Sequence, residues 1–346
     1  GMASSERKIV CEALSTNFRE CTKIVTHSFA ATPKPGHTYI RNIFCGINAS
    51  DINFTAGIYQ PGIQPPFDCG FEAIGRVAAL GPGVEKFKVG DAVAYTTYGA
   101  FAEQAQVDAR SLVPLPRLMP EALTLPVSGL TASIALEKVG EVKKGETVLV
   151  TAAAGATGSY AVQIAKGMGA YVIGTASSKE KCEALKGLGC DRPVNYKEED
   201  LFTVLRTEFP NGVDVVYESV GGPLFDAALN NLAVRGRLVV IGFMSGYQDG
   251  TGWTGGGKPQ KPIPPKLLSK SASVRGFFLN NYAEEWKPHM KRLATSLADG
   301  SIRGVVDPKG FEGLEGVADA IDYMYAGKNV GKVVVKIQPD EGGSKL

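Results

Sequence analysis

The chain has 346 residues, enough for two domains, and its 44% hydrophobic and 21% charged residues are ordinary for a globular protein. Its 37 basic and 35 acidic side chains nearly cancel to +2, which removes the global electrostatic pull toward nucleic acid or an anionic membrane. Six cysteines (Cys11, Cys21, Cys45, Cys69, Cys182 and Cys190) form no CxxC pair and read as free thiols packed as small hydrophobes.

The first 125 residues are rich in Gly, Pro and short β-prone runs. Tyr39–Phe44, Ala73–Leu80 and Asp91–Tyr95 read as strands, with turns at Gly81-Pro-Gly83 and Val89-Gly-Asp91. A compact, mostly β domain is expected there. Between these runs lie Asn48-Ala-Ser-Asp51, then Tyr59, then Gly70-Phe-Glu-Ala-Ile-Gly75.

The character changes near Leu125. Thr147–Thr151 reads as a strand, Ser159–Met168 as a helix, Ala170–Thr175 as a second strand and Lys179–Leu188 as a second helix. Asp214–Tyr217 and Arg237–Ile241 follow as strands, with a helix over Phe225–Leu232 between them. Strands alternating with helices predict an α/β fold with a doubly wound parallel sheet. The uncharged stretch Thr147–Ala165 is interrupted by Gly155 and Gly158, so it reads as strand, turn and helix rather than a membrane span.

The first strand runs into Ala152-Ala-Ala-Gly-Ala-Thr-Gly158. Aligned to GxGxxG, this places Ala153 at the first glycine and Gly155 and Gly158 at the others, with Ala156 and Thr157 between them. The second glycine lets the backbone approach a pyrophosphate, and the third lets helix and strand pack closely. The second strand ends at Thr175-Ala-Ser-Ser-Lys179 where an NAD site carries Asp or Glu. Ser177, Ser178 and Lys181 suit a 2′-phosphate, which makes NADPH the expected cofactor; Glu180 points away if Lys181 points in. The plain alternative for Lys181 is a solvated helix lysine. Met244–Pro265 is a Gly/Pro-rich segment, read either as a mobile flap or as a plain insertion. Ser344-Lys345-Leu346 matches the tripeptide read by the peroxisomal import receptor, so peroxisome is expected ahead of cytoplasm.

The segments Asn48–Asp51, Gly70–Gly75, Ala152–Gly158 and Ser177–Lys181 together resemble the medium-chain dehydrogenases/reductases of the quinone oxidoreductase type. The runs Tyr217–Gly222, Ile241–Tyr247, Ser271–Asn280 and Tyr323–Asn329 resemble the prostaglandin-reducing branch of that family. The resemblance implies a GroES-like catalytic domain (1–125 and 285–346) and a Rossmann domain (126–284). It implies NADPH-dependent reduction of double bonds conjugated to a carbonyl, including the 13,14 bond of 15-keto-prostaglandins. A homodimer is common in the family.

Thr157, Ser177, Lys181, Tyr196, Ser219, Ile241, Tyr247 and Asn329 are the cofactor-lining residues so implied. Phe243, Phe277 and Phe278, with Leu279, are placed on the same side, where the aromatic rings and Trp253 would wall an apolar pocket for a small-molecule enone or lipid. Zinc members of the superfamily carry Cys and His where this chain has Ser50 or its neighbours and Phe71, so no metal is expected. All three histidines, His27, His37 and His289, are expected at the surface. The catalytic candidates are Tyr59 first and Tyr247 second as proton donor, each with the alternative of a pocket wall. Asn48 would orient ribose or substrate, or serve only its turn. A quinone reductase and a non-catalytic NADPH-binding protein are the rival readings.

Overall fold

The computed structural model describes residues 5–251 and 262–341. The Ser344-Lys345-Leu346 signal and Trp253 lie outside the described residues, as do residues 252–261 of the expected flap. The chain divides into two compact units, one formed by Gly1–Pro126 with Val306–Leu346, the other by Val127–Val305. The expected boundary at 285 therefore moves to 306. Its cause is the helix Ala283–Ala298, which docks within the second unit: its His289 hydrogen-bonds Ser133 at 2.7 Å.

In the inserted unit (Val127–Val305), six strands make one wholly parallel sheet. They are β9 (Thr147–Val150), β10 (Tyr171–Ala176), β11 (Arg192–Asn195), β12 (Val213–Glu218), β13 (Leu232–Val240) and β14 (Ser273–Gly276). Their order is β11-β10-β9-β12-β13-β14, so strand order reverses between β9 and β12. That reversal is where open α/β sheets bind ligands, at the carboxyl ends of the strands. The central strands read as nearly continuous aliphatic runs because both faces are covered. Leu149, Ile173, Val194, Val216 and Leu238 pack against Leu201, Val204 and Leu205 of α6 (Leu201–Glu208) and Ala228 and Leu229 of α7 (Gly222–Asn230). The helix expected at Phe225–Leu232 thus starts and stops earlier, and Leu232 opens β13. Helices α4 (Ala156–Gly167) and α5 (Lys179–Gly187) follow β9 and β10.

The flanking unit is mostly β. A six-stranded antiparallel sheet runs β15-β3-β5-β6-β8, with β7 also on β3; these are Val334–Lys336, His37–Gly46, Glu72–Leu80, Ala92–Thr96, Val113–Pro114 and Gln104–Asp108. A smaller sheet pairs β1 (Ser5–Cys11) with β2 (Thr22–Ser28) and β4 (Phe67–Asp68). Ile74, Ala94, Leu123 and Val334 form a core cluster under the larger sheet. The end of the chain is tied down by Asp340, whose two carboxylate oxygens accept from Arg76 Nε and NH2 at 2.6 and 2.7 Å. No described helix is long and apolar enough to cross a membrane.

Candidate active site

The candidate dinucleotide site lies in the inserted unit. Thr151 ends the first strand, and Ala152 takes a left-handed φ of 47° to turn the chain toward α4. Ala152 and Ala153 are held there by bonds from their N–H groups to Thr175 Oγ1 (3.2 Å) and Thr175 O (2.9 Å) on β10. Gly158 cannot carry a side chain: a Cβ there would land on the Ala152 carbonyl and 2.7 Å from Ala153 Cα. Gly155 is the N-cap of α4, and no side chain caps that helix. The N–H groups of Ala156, Thr157 and Gly158 are therefore left for an outside acceptor, at the positive end of a 12-residue helix. Ser219, directly after β12, is buried, and its hydroxyl has no partner among the described residues. A turn of small residues, an uncapped helix and an orphaned hydroxyl at the strand reversal fit a bound pyrophosphate nucleotide.

Thr157 contributes through its N–H rather than its hydroxyl. With its single hydrogen donated to Ser128 O at 3.2 Å, its oxygen accepts from Tyr217 OH at 2.6 Å. Burial holds the Tyr217 hydroxyl well above its usual pKa, which keeps it a donor. Glu218 is wholly buried at the end of β12, accepting from the N–H groups of Val220 and Gly221 at 3.0 and 3.1 Å and from Thr151 Oγ1 at 3.0 Å. Burial raises its carboxyl pKa and those backbone donors oppose the rise, so Glu218 braces the loop carrying Ser219.

At the end of β10, Ser178 caps α5 by accepting from Lys181 N at 3.2 Å. Ser177, Ser178 and Lys181 are all half-buried there. Tyr196 follows β11, which runs parallel to β10 with Asn195 opposite Ala176, and it is largely exposed. The Glu180 carboxylate is held below its usual range by backbone and Ser178 hydrogen bonds. Ile241 leaves β13 with its N–H on Glu218 O at 2.8 Å. Next to it, Phe243 N donates to Tyr247 OH at 3.4 Å, and the two rings meet edge-on at 5.0 Å. Gly242 leaves room for this contact: a Cβ there would sit 2.7 Å from the Tyr247 hydroxyl, which would have to shift. Phe277 is buried and stacked on Tyr282, Phe278 is exposed, and the Leu279 carbonyl accepts from Trp286.

The flanking unit holds the other candidates. Asn48 precedes the short helix α2 (Asp51–Thr55), and its N–H donates to Asp51 Oδ2 at 2.8 Å. Tyr59 is half-buried and accepts from Asn53 Nδ2 at 3.2 Å. Asn329 donates to Gly331 O at 2.9 Å. Phe71 stands within an aromatic cluster: Phe54 stacks on Tyr98 at 4.4 Å, and Phe71 meets both edge-on at 5.6 Å. Hydrocarbon occupies this position, and no group of three His, Cys, Asp or Glu suited to a metal occurs among the described residues.

Two features escaped the sequence reading. His289 is fully buried rather than at the surface; burial first, and then the Arg292 guanidinium, lower its pKa. More important, Lys332 and Glu72 are both buried and form an ion pair around Asn48. The Asp51 carboxyl beside them is pushed up to about 8, mainly by burial, with the Asn48 N–H and Lys332 opposing the rise and Glu72 adding to it. Nothing in the local sequence marks Lys332 as buried; the pairing of Val334 with Gly46 and the bridge from Lys332 to Val306 bring it in.

Two family models match the chain: a zinc-binding dehydrogenase over residues 156–295 and an alcohol dehydrogenase GroES-like domain over residues 34–117. The chain is 52% identical over 345 residues to prostaglandin reductase-3 of Bos taurus, covering 97% of this chain and 90% of that one. It is 46% identical to a probable quinone oxidoreductase of Leishmania amazonensis, covering 97% and 99%. Escherichia coli quinone oxidoreductase complexed with NADPH matches with a TM-score of 0.81 at 28% identity, over 95% of this chain and 99% of that one.

Proposed function

The chain belongs to the medium-chain dehydrogenase/reductase superfamily, on its quinone oxidoreductase-like branch, and from that membership we propose that it is an NADPH-dependent reductase of carbon–carbon double bonds conjugated to a carbonyl. 15-Keto-prostaglandins are the lipid substrates proposed for it. The observation that carries the reading is the uncapped start of α4 behind Gly155 and Gly158 at the reversal of strand order.

NADPH, when bound, supplies the hydride that adds to the β-carbon of the enone. The N–H groups of Ala156, Thr157 and Gly158 hold its pyrophosphate, and Ser177, Ser178 and Lys181 hold the 2′-phosphate. Negative charge then gathers on the substrate carbonyl oxygen, where a hydrogen-bond donor stabilises it. Tyr59 delivers the proton to the α-carbon, and the Asn53 amide stabilises its oxygen once the proton has left. An aromatic cluster at Phe71 favours a substrate that is already activated by conjugation over a simple alcohol, which needs a Lewis acid.

The test is steady-state NADPH oxidation with an enone, an enal, a 15-keto-prostaglandin and a quinone side by side. Turnover of enones is expected, and binding of NADPH without turnover of any of the four would leave only a binding protein. Quinone reduction is the second reading, favoured by the full-length similarity to the Leishmania relative; quinone turnover without enone turnover would establish it instead. We also propose assembly as a homodimer, to be read by light scattering. Where Ser344-Lys345-Leu346 is the free carboxyl end, we propose peroxisomal import, which a fluorescent protein fused at the other end would report.

A further inference from the structure

Lys332, Glu72, Asn48 and Asp51 meet in the flanking unit, where β15, β3 and β5 run side by side. Lys332 and Glu72 are each 0% exposed, and their charged groups touch. Gly46, at the end of β3, makes the room: a Cβ there would stand 2.5 Å from Glu72 Oε1 and 2.8 Å from Lys332 Cε. Asn48 bridges the pair. Lys332 Nζ donates to its Oδ1 at 2.8 Å, and its Nδ2 donates to Glu72 Oε1 at 2.9 Å.

An ammonium can only donate and a carboxylate can only accept. The two ends of the Asn48 amide are therefore assigned by their partners, a choice that is otherwise ambiguous for an asparagine. One Nδ2 hydrogen is taken by Glu72. The second has no acceptor among the described residues, and Asn48 keeps 8% of its surface exposed. Asn48 thus keeps one N–H to offer a ligand, while its oxygen already faces the Lys332 ammonium. Lys332, pulling on the amide oxygen from behind, makes that donor stronger, because bonds in a chain polarise one another. An amide free to rotate would present its oxygen as readily and repel a developing oxyanion.

We infer that Lys332 and Glu72 are positioning residues that lock Asn48 as a polarised N–H donor for the carbonyl oxygen of the substrate. The inference rests on the reductase function proposed above. A carbonyl oxygen only accepts, so it is matched to the one hydrogen Asn48 has left, and it gains charge as hydride arrives. The ammonium supplies the positive charge from one residue further back.

The test uses Lys332→Arg, Asn48→Ala, and a chain carrying both Lys332→Met and Glu72→Gln, in which neither charge is left buried alone. Wild type is assayed first; no turnover of enone or quinone removes the reductase function and this inference with it. With turnover established, the doubly substituted chain is expected to lose on the order of 100-fold in kcat, while its NADPH Kd, read by fluorescence quenching, stays within about 2-fold. Lys332→Arg, which keeps charge and donors, recovers most of the loss. Infrared difference spectra of the bound saturated ketone product give a readout that does not depend on turnover. Its carbonyl stretch is expected at lower frequency in wild type and Lys332→Arg, and higher in Asn48→Ala and in the doubly substituted chain. A folded doubly substituted chain with wild-type kcat, or equal losses in kcat and NADPH affinity, overturns the inference and leaves the reductase function standing. If that chain does not fold, the carbonyl stretch decides between wild type and Asn48→Ala: an unchanged frequency overturns the inference.

Discussion

Lys181 stands one turn into α5, its backbone N–H on the Ser178 cap and its ammonium the cation proposed for the 2′-phosphate. Removing a charge-assisted bond to phosphate weakens binding by about 1.5–3 kcal/mol, or about 10-fold or more. Lys181→Ala is therefore expected to raise the NADPH Kd by that factor and leave the NADH Kd unchanged in a fluorescence titration; equal weakening of both removes the phosphate assignment. Asp51 makes a different prediction. Its carboxyl, near 8 in the folded protein and near 4 in an unfolded chain, binds its proton more tightly when folded. That stabilisation is complete below about pH 4 and is lost as the pH rises through about 8. Lys332 and Glu72 face this carboxyl, with the Cys45 and Cys69 thiols near it. Asp51→Asn removes the slope, so urea unfolding at about pH 5 and about pH 9 should show wild type losing stability relative to the variant at the higher pH.

Among the elements, β9, its glycine turn and α4 were legible because three signals coincide: an aliphatic run, glycines at fixed offsets and a helical stretch after them. The turn constrains function as well as fold. Gly158→Ala places a methyl against the Ala152 carbonyl, so strand and helix must separate. NADPH affinity is expected to fall at least about 10-fold, with a lower melting temperature, since the helix N-terminus moves off the phosphates; unchanged affinity would mean the phosphates lie elsewhere. Strand β15 was not legible. Three residues long, it has no periodicity to detect, and its place is set by register against β3. The same shortness hid Lys332, which in the run Asn329-Val-Gly-Lys-Val333 resembles any surface lysine. His289 was misplaced for a related reason. It lies on a mostly polar helix, α9 (Ala283–Ala298), whose buried face is narrow and starts at a histidine.

Across the whole molecule, the sequence marked two domains and a β-to-α/β change near Leu125, close to the observed division after Pro126. The second boundary was misread because α9 offers no composition shift; its membership in the inserted unit comes from contacts such as His289 to Ser133. A ligand held by one folded unit stabilises that unit by mass action. NADPH at about 100 times its Kd should raise the unfolding free energy of the unit that binds it by about 2.7 kcal/mol, readable as an upward shift in calorimetry. Gly158→Ala, with affinity about 10-fold lower, should cut that gain to about 1.4 kcal/mol or less at the same concentration.

The buried ion pair also dictates a sequence of events during synthesis. Glu72 leaves the ribosome early, but the ammonium that neutralises it follows only after the whole of Val127–Val305 has been translated. Until then the nascent β sheet carries a carboxylate with no counter-ion, so the middle of the polypeptide is expected to mature first and the two outer segments to join each other last.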